Sequence, residues 1–100
     1  MKQYYVYLLA NKNKTVIYVG VTSDLVRRVH QHKTKRYQKS FTAKYNCDRL
    51  VYYEVYTRAL VAIQREKQIK AGNRERKEKL INKQNPNWND LSDGWLFDIS

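Results

Sequence analysis

Four side chains in this 100-residue sequence have the types and spacing to do chemistry on a phosphate: Tyr7, Tyr18, Arg28 and Glu66. The two tyrosines fall in neighbouring segments. Residues 4–10 (YYVYLLA) and 16–21 (VIYVGV) are rich in aromatic and β-branched side chains and flank a polar NKNK turn, the signature of an antiparallel hairpin. A four-residue loop, Asn11–Lys14, would pair Ala10 with Thr15 and set Tyr7 opposite Tyr18, with Cβ atoms about 4.5–5.5 Å apart on one sheet face. The same register places Gly20 opposite Tyr5, leaving an opening where a ligand could approach. Two phenols beside a gap make a candidate polar site, although a Tyr–Tyr pair taken alone is more often simple packing. Arg28 shares a helical face with Leu25, Val29 and His32, whereas Arg27 projects into solvent. A guanidinium turned inward keeps its charge and needs an anion, and a structural carboxylate or a phosphate would serve equally. Glu66 follows Ala62 by four residues, follows Ile63 by three and precedes Ile69 by three, which puts a carboxylate in an apolar stripe. It needs a salt bridge, with Lys70 one turn on or with Arg28 across the core, or else a metal ion; taken alone the salt bridge is favoured. Together these groups offer what phosphodiester hydrolysis requires: a held water, charge neutralisation and help for the leaving oxygen.

The elements that must position them follow from the pattern. Thr22 or Ser23 caps a first helix, and residues 33–47 form a polar, basic connection. RLVYYEVY (49–56) is a third strand. A second helix runs from about Thr57 or Arg58 to Ala71, stopped by Gly72 and Asn73, and a third, highly charged one occupies about 74–83 with Leu80 and Ile81 inward. The expected fold is α+β, a small antiparallel three-stranded sheet flanked by helices. Residues 1–83 form the domain, and 84–100 an aromatic, acidic tail that packs on it or extends it, with Trp88, Trp95 and Phe97 closing a core or an interface.

Composition narrows the functional classes. Lys and Arg number 20 against nine acids, for a net charge of +11, and apolar residues make up 42%, enough for a core. Residues 84–100 hold no Lys or Arg, so every basic group lies in the first 83 residues, and Arg27 to Lys44 contains seven of them and no acid. Such a field makes nucleic acid the leading partner. No apolar run approaches a membrane span, and no leader is expected in MKQYYVYLLAN. The lone Cys47 can form no internal disulfide and has no nearby His signature of a cysteine hydrolase, so a reducing cytoplasm is expected. His30 and His32 diverge on a helix and make a poor metal pair. The basic segment interleaves Lys35, Arg36, Lys39 and Lys44 with Tyr37, Phe41 and Tyr45. Cations that follow phosphates and rings that stack on exposed bases would make it a mobile substrate-contacting loop, with Lys35, Arg36, Lys39, Lys44 and Tyr45 as contacts. For Phe41 and Tyr45, anchoring in the core is the slightly favoured alternative.

These residues resemble a known family. Tyr5-Val6-Tyr7, followed about ten residues later by Tyr18-Val19-Gly20, looks like the paired tripeptides that name the GIY-YIG nuclease domain. Arg28, eight residues after Gly20, matches its helix-borne arginine, and Glu66 in the REKQIK run matches its metal-binding glutamate. The resemblance spans about Tyr4 to Ile81 and is greatest to short, single-domain members. It implies a metal-dependent endonuclease acting on DNA in preference to RNA. By that analogy Glu66 holds one Mg²⁺ or Mn²⁺, Tyr7 and Tyr18 position or activate water, Arg28 steadies the phosphate charge, and His32 occupies a supporting Tyr/His position that could equally be a packed histidine. Three departures stand out: Tyr5 replaces the first glycine, Val21 stands where some repair nucleases have Lys, and only Asn82 lies near the position of a family Asn. A non-catalytic nucleic-acid-binding module, and an interaction protein that docks a partner or its own twin through the tail, are the rival readings.

Overall fold

The structure is a computed structural model that describes residues 2–35 and 39–95. Arg36, Tyr37 and Phe97 therefore lie outside the described residues. The elements run β1 (Tyr4–Ala10), β2 (Ile17–Thr22), α1 (Leu25–Lys33), α2 (Phe41–Lys44), β3 (Arg49–Tyr56), α3 (Ala59–Ala71) and α4 (Arg74–Gln84). The three strands form one antiparallel sheet in the order β2-β1-β3, so the architecture is the expected α+β. The first strand is central and covered on both faces, which is why VYLLA is apolar without alternation. On one face Val6, Leu8 and Ala10 pack with Val19, Val51 and Tyr52 against Ala62 and Ile69 of α3, Ile81 of α4 and Trp88. On the other, Tyr7 and Leu9 pack with Leu50 and Cys47 against Leu25 and Val29 of α1. A bulge opposite Leu8 and Leu9 lets the adjacent Val51 and Tyr52 enter the same core, while Leu50 enters the other.

The hairpin register differs from the expected one by two residues. Tyr7 pairs with Gly20 and Leu9 with Tyr18, while Tyr5 faces Thr22. The cause is Asn11. Its side-chain oxygen accepts from the backbone N–H groups of Thr15 (2.9 Å) and Val16 (3.1 Å), and its amide donates to the Thr15 hydroxyl. Those bonds withdraw both residues from the ladder, and Lys14 turns the chain at φ 60°. Arg74 then holds the loop from α4 by donating to the carbonyls of Lys14 and Thr15. A shift of two preserves the side-chain face, so Tyr7 and Tyr18 still share one side of the sheet.

Two polar clusters fix the helices on this frame. Arg65 forks onto Glu54 through Nε (2.9 Å) and a terminal guanidinium nitrogen (3.0 Å), and Glu54 also accepts from Tyr52 and Tyr56. These bonds hold the Glu54 carboxyl below its usual range, against the opposing effect of burial. The fork also sets α3 against β3, and with it the next residue, Glu66. Asp90 bonds Lys33 of α1 (2.5 Å), the Leu50 amide and Ser92, which lays the segment after α4 across the α1 side of the domain. Trp88 is buried, and its indole donates to Asn82 Oδ1 at 2.7 Å. The first helix is capped by Asp24, which accepts from Arg27 N–H, in place of the expected Thr22 or Ser23; Thr22 instead accepts from the Asp24 amide. The supposed 33–47 connection holds the end of α1 and the short α2, capped by Ser40.

A Cβ built on Gly20 would lie 2.4 Å from Tyr7 Cζ and 2.5 Å from its hydroxyl oxygen. Because the Tyr7 ring is buried it cannot swing clear. Gly20→Ala should therefore cost about 1–3 kcal/mol in urea unfolding. The cost should shrink when Tyr7→Leu removes the far end of the ring; an undiminished penalty in the double variant would contradict the contact.

Candidate active site

Tyr7 is 1% exposed and its ring covers Gly20. The opening expected at Gly20 is therefore filled by Tyr7 itself, and the glycine is a seat for the phenol. From there the Tyr7 hydroxyl meets His32 Nε2 at 3.0 Å, and His32 Nδ1 meets the Thr42 hydroxyl at 2.8 Å. Thr42 is buried in α2, and its hydroxyl lies 3.3 Å from that of Ser40. Tyr18 completes the group, its ring centroid 6.2 Å from that of Tyr7 and 5.5 Å from the imidazole. Of the four groups taken from the sequence as catalytic, Tyr7, Tyr18 and His32 thus touch, with the histidine at the centre.

Arg28 does not turn inward. Leu25 and Val29 form the ridge that α1 buries, and Arg28 occupies the exposed flank. Among the described residues it pairs with no carboxylate, so the expected need for a buried anion is corrected: Arg28 is an exposed cation at the rim. Its charge is still felt within. Burial lowers the His32 pKa to about 4 and Arg28 adds to that effect, so the imidazole is neutral at physiological pH. Burial and the neighbouring Tyr18 phenol raise the Tyr7 pKa well above the usual phenol value; Arg28 opposes that rise, and Glu66 contributes to it least.

Glu66 is the remaining member. Its side chain is 15% exposed, and its ion pair is with Lys70, one turn on, at 3.7 Å. The salt bridge favoured from the sequence is present but long, and the alternative pair with Arg28 does not form. Among the described residues no hydrogen bond joins Glu66 to Tyr7, Tyr18 or His32, and its link to Tyr7 is electrostatic only. No group of three or more His, Cys, Asp or Glu side chains is clustered as a metal cage among the described residues. A single, loosely paired carboxylate does fit the way Mg²⁺ is bound, through one carboxylate with waters and phosphate oxygens filling its octahedron.

The basic segment falls into two parts. Lys35 donates to Asn46 at 2.6 Å, and Lys33 is occupied by Asp48 and Asp90. Lys39 is exposed, and Lys44 lies over the Tyr45 ring at 5.3 Å. Phe41 and Tyr45 are 49% and 39% exposed, which overturns the favoured reading of both as core anchors. Thr42 and Ser40 were not legible as site residues, because their link to His32 crosses ten residues and a turn that no periodicity reports. Asn82 is spent on the Trp88 indole.

A three-stranded antiparallel sheet with paired tyrosines on one face, an arginine on the following helix and a glutamate on a later one defines a nuclease-type catalytic domain. Residues 3–85 match the model of the GIY-YIG catalytic domain, and the chain belongs to that family. A UPF0213 protein of Syntrophus aciditrophicus (strain SB) is 35% identical over 86 residues, covering 86% of this chain and 97% of the relative. The solution NMR structure of a UPF0213 protein from Bacillus halodurans superposes with a TM-score of 0.55 at 27% identity, over 92% of this chain and 97% of that one. No helix among the described residues is long and apolar enough to cross a membrane.

The imidazole environment makes a stability prediction. A His pKa near 4 in the folded chain against the ordinary 6.5 means that the unfolded chain binds the proton more readily. The stabilisation is full above pH 6.5 and is lost as pH falls towards 4. It amounts to at most about 3 kcal/mol, less because solvent reaches part of the ring. Wild type should gain stability to urea between pH 4 and 6.5, and His32→Asn should flatten that rise; an identical slope in both would contradict the buried neutral imidazole.

Proposed function

We propose that this chain is a metal-dependent endonuclease that hydrolyses phosphodiester bonds of nucleic acid, DNA ahead of RNA. The observation that carries the reading is the Tyr7–His32 pair beside Tyr18, at the rim that Arg28 charges, in a domain whose family consists generally of endonucleases. A raised Tyr7 pKa means that the phenol does not ionise alone at neutral pH. It can still relay. Its O–H donates to the neutral His32 Nε2, leaving the phenolic oxygen to accept a hydrogen bond from water. As the water oxygen attacks phosphorus, its proton moves to the Tyr7 oxygen while the Tyr7 proton passes to His32 Nε2. This role requires the Nδ1–H tautomer, with Nδ1–H donating to Thr42 Oγ1. The imidazolium so formed can then return a proton to solvent or to the product. Tyr18 orients the same water, and Arg28, free of a carboxylate partner among the described residues, faces the phosphate charge. Glu66 would hold a single Mg²⁺ or Mn²⁺, which when bound neutralises the phosphate and stabilises the leaving 3′ oxygen. The buried Cys47 thiol, pushed up to about 11 by burial and Asp48, takes no part and suits a reducing cytoplasm.

End-labelled DNA and RNA incubated with Mg²⁺, Mn²⁺ or EDTA test this directly. Cutting should require the metal and disappear in folded Glu66→Ala. Tyr7→Phe, which keeps the ring over Gly20, should lower kcat by about 10²–10⁴-fold. Tight binding without cutting under any metal, or cutting that survives Glu66→Ala, would defeat the proposal.

A further inference from the structure

We propose that Tyr45, Phe41 and Tyr18 form a ladder of rings that stacks unpaired bases next to the scissile phosphate, so that the substrate is single-stranded or locally unpaired nucleic acid. The inference rests on the nuclease reading of the adjoining site and names its substrate class. Phe41 and Tyr45 stand one turn apart with centroids 4.7 Å from each other, and Phe41 lies 6.2 Å from Tyr18. Tyr18 in turn lies 5.5 Å from the imidazole that bonds Tyr7. The rings therefore lead without interruption from open surface to the phenol–imidazole pair.

Their exposure is built in. Ser40 caps α2 and Thr42 points inward to His32, and that orientation turns positions 41 and 45 outward. Two large rings thus remain 49% and 39% exposed. Their setting selects the occupant by charge. Lys44 lies over Tyr45, Lys39 is exposed nearby, and no carboxylate occurs from Arg27 to Lys44. A partner here must bring both flat π-faces and negative charge, which is what an unstacked strand presents. In a duplex the bases are stacked on one another and only their edges are open, so paired nucleic acid can use the lysines but not the rings.

The test is binding in EDTA, where cutting is suppressed, to oligonucleotides carrying 2-aminopurine: single-stranded DNA, single-stranded RNA and the matching DNA duplex. Wild type should bind a single strand about 10- to 100-fold more tightly than duplex, with a change in 2-aminopurine emission. Phe41→Leu with Tyr45→Leu should bring that ratio close to one, whereas the ring-preserving pair Phe41→Tyr with Tyr45→Phe should keep it. Equal affinity of wild type for duplex and single strand, a preference that survives the leucine pair, or dimerisation through the rings in place of oligonucleotide binding would overturn the proposal. A ring-dependent preference in a chain that cuts nothing under any metal would support the ladder and retire the nuclease reading, so the two failures are separable.

Discussion

Tyr7, on the central strand of a three-stranded sheet, packs the hydroxyl end of its ring over Gly20 of the neighbouring strand, and most of the candidate site follows from that contact. No other residue type at position 20 leaves room for the ring. With the ring seated, the hydroxyl is held beside His32 Nε2 and the Tyr18 phenol. Val29 and Leu25 hold α1 against the same face, so the imidazole is brought to the phenol by ordinary core packing. Burial then acts on both partners in the direction of neutrality: the phenol keeps its proton and the imidazole lacks one. A neutral donor and a neutral acceptor 3.0 Å apart can move a proton without creating a buried charge beforehand.

The two faces of the sheet supply different parts of the chemistry. The α1 face carries Tyr7, Tyr18, His32 and the Arg28 rim. Helix α3, whose Ala62 and Ile69 pack on the opposite face, carries Glu66 and is fixed by the Arg65–Glu54 fork one residue earlier. No direct bond links Glu66 to the phenols among the described residues, so on this account the phosphate of the substrate joins the two parts. That division explains why Glu66 is paired only loosely with Lys70. A carboxylate buried and fully bonded would have no oxygen left to offer.

Much of this was legible in the sequence because the signals are local. Strands at 4–10 and 49–56, a helix stopped at Gly72 and the spacing from Gly20 to Arg28 depend on composition and period, and they are found where those patterns place them. The hairpin register was not legible, because it depends on Asn11 replacing two ladder positions with side-chain bonds. The slip of two residues preserved the faces, which is why the phenols were grouped correctly although Tyr18 was paired with the wrong residue. Arg28 was misplaced because a wheel assigns a flank position to the buried side without knowing how narrow the ridge is. Thr42, Ser40 and the outward turn of Phe41 depend on a short helix after a basic run, where no hydrophobic period exists to read.

The claim that Tyr7 and His32 act together as the proton acceptor is tested most directly by the pH dependence of cleavage, measured as kcat/KM for wild type and His32→Phe with saturating metal. The account predicts a wild-type acid limb governed by a group near pH 4 and a variant that loses most of its rate together with that limb. A wild-type limb near the ordinary histidine value of 6.5, or a folded His32→Phe variant that cuts at the wild-type rate, would contradict it.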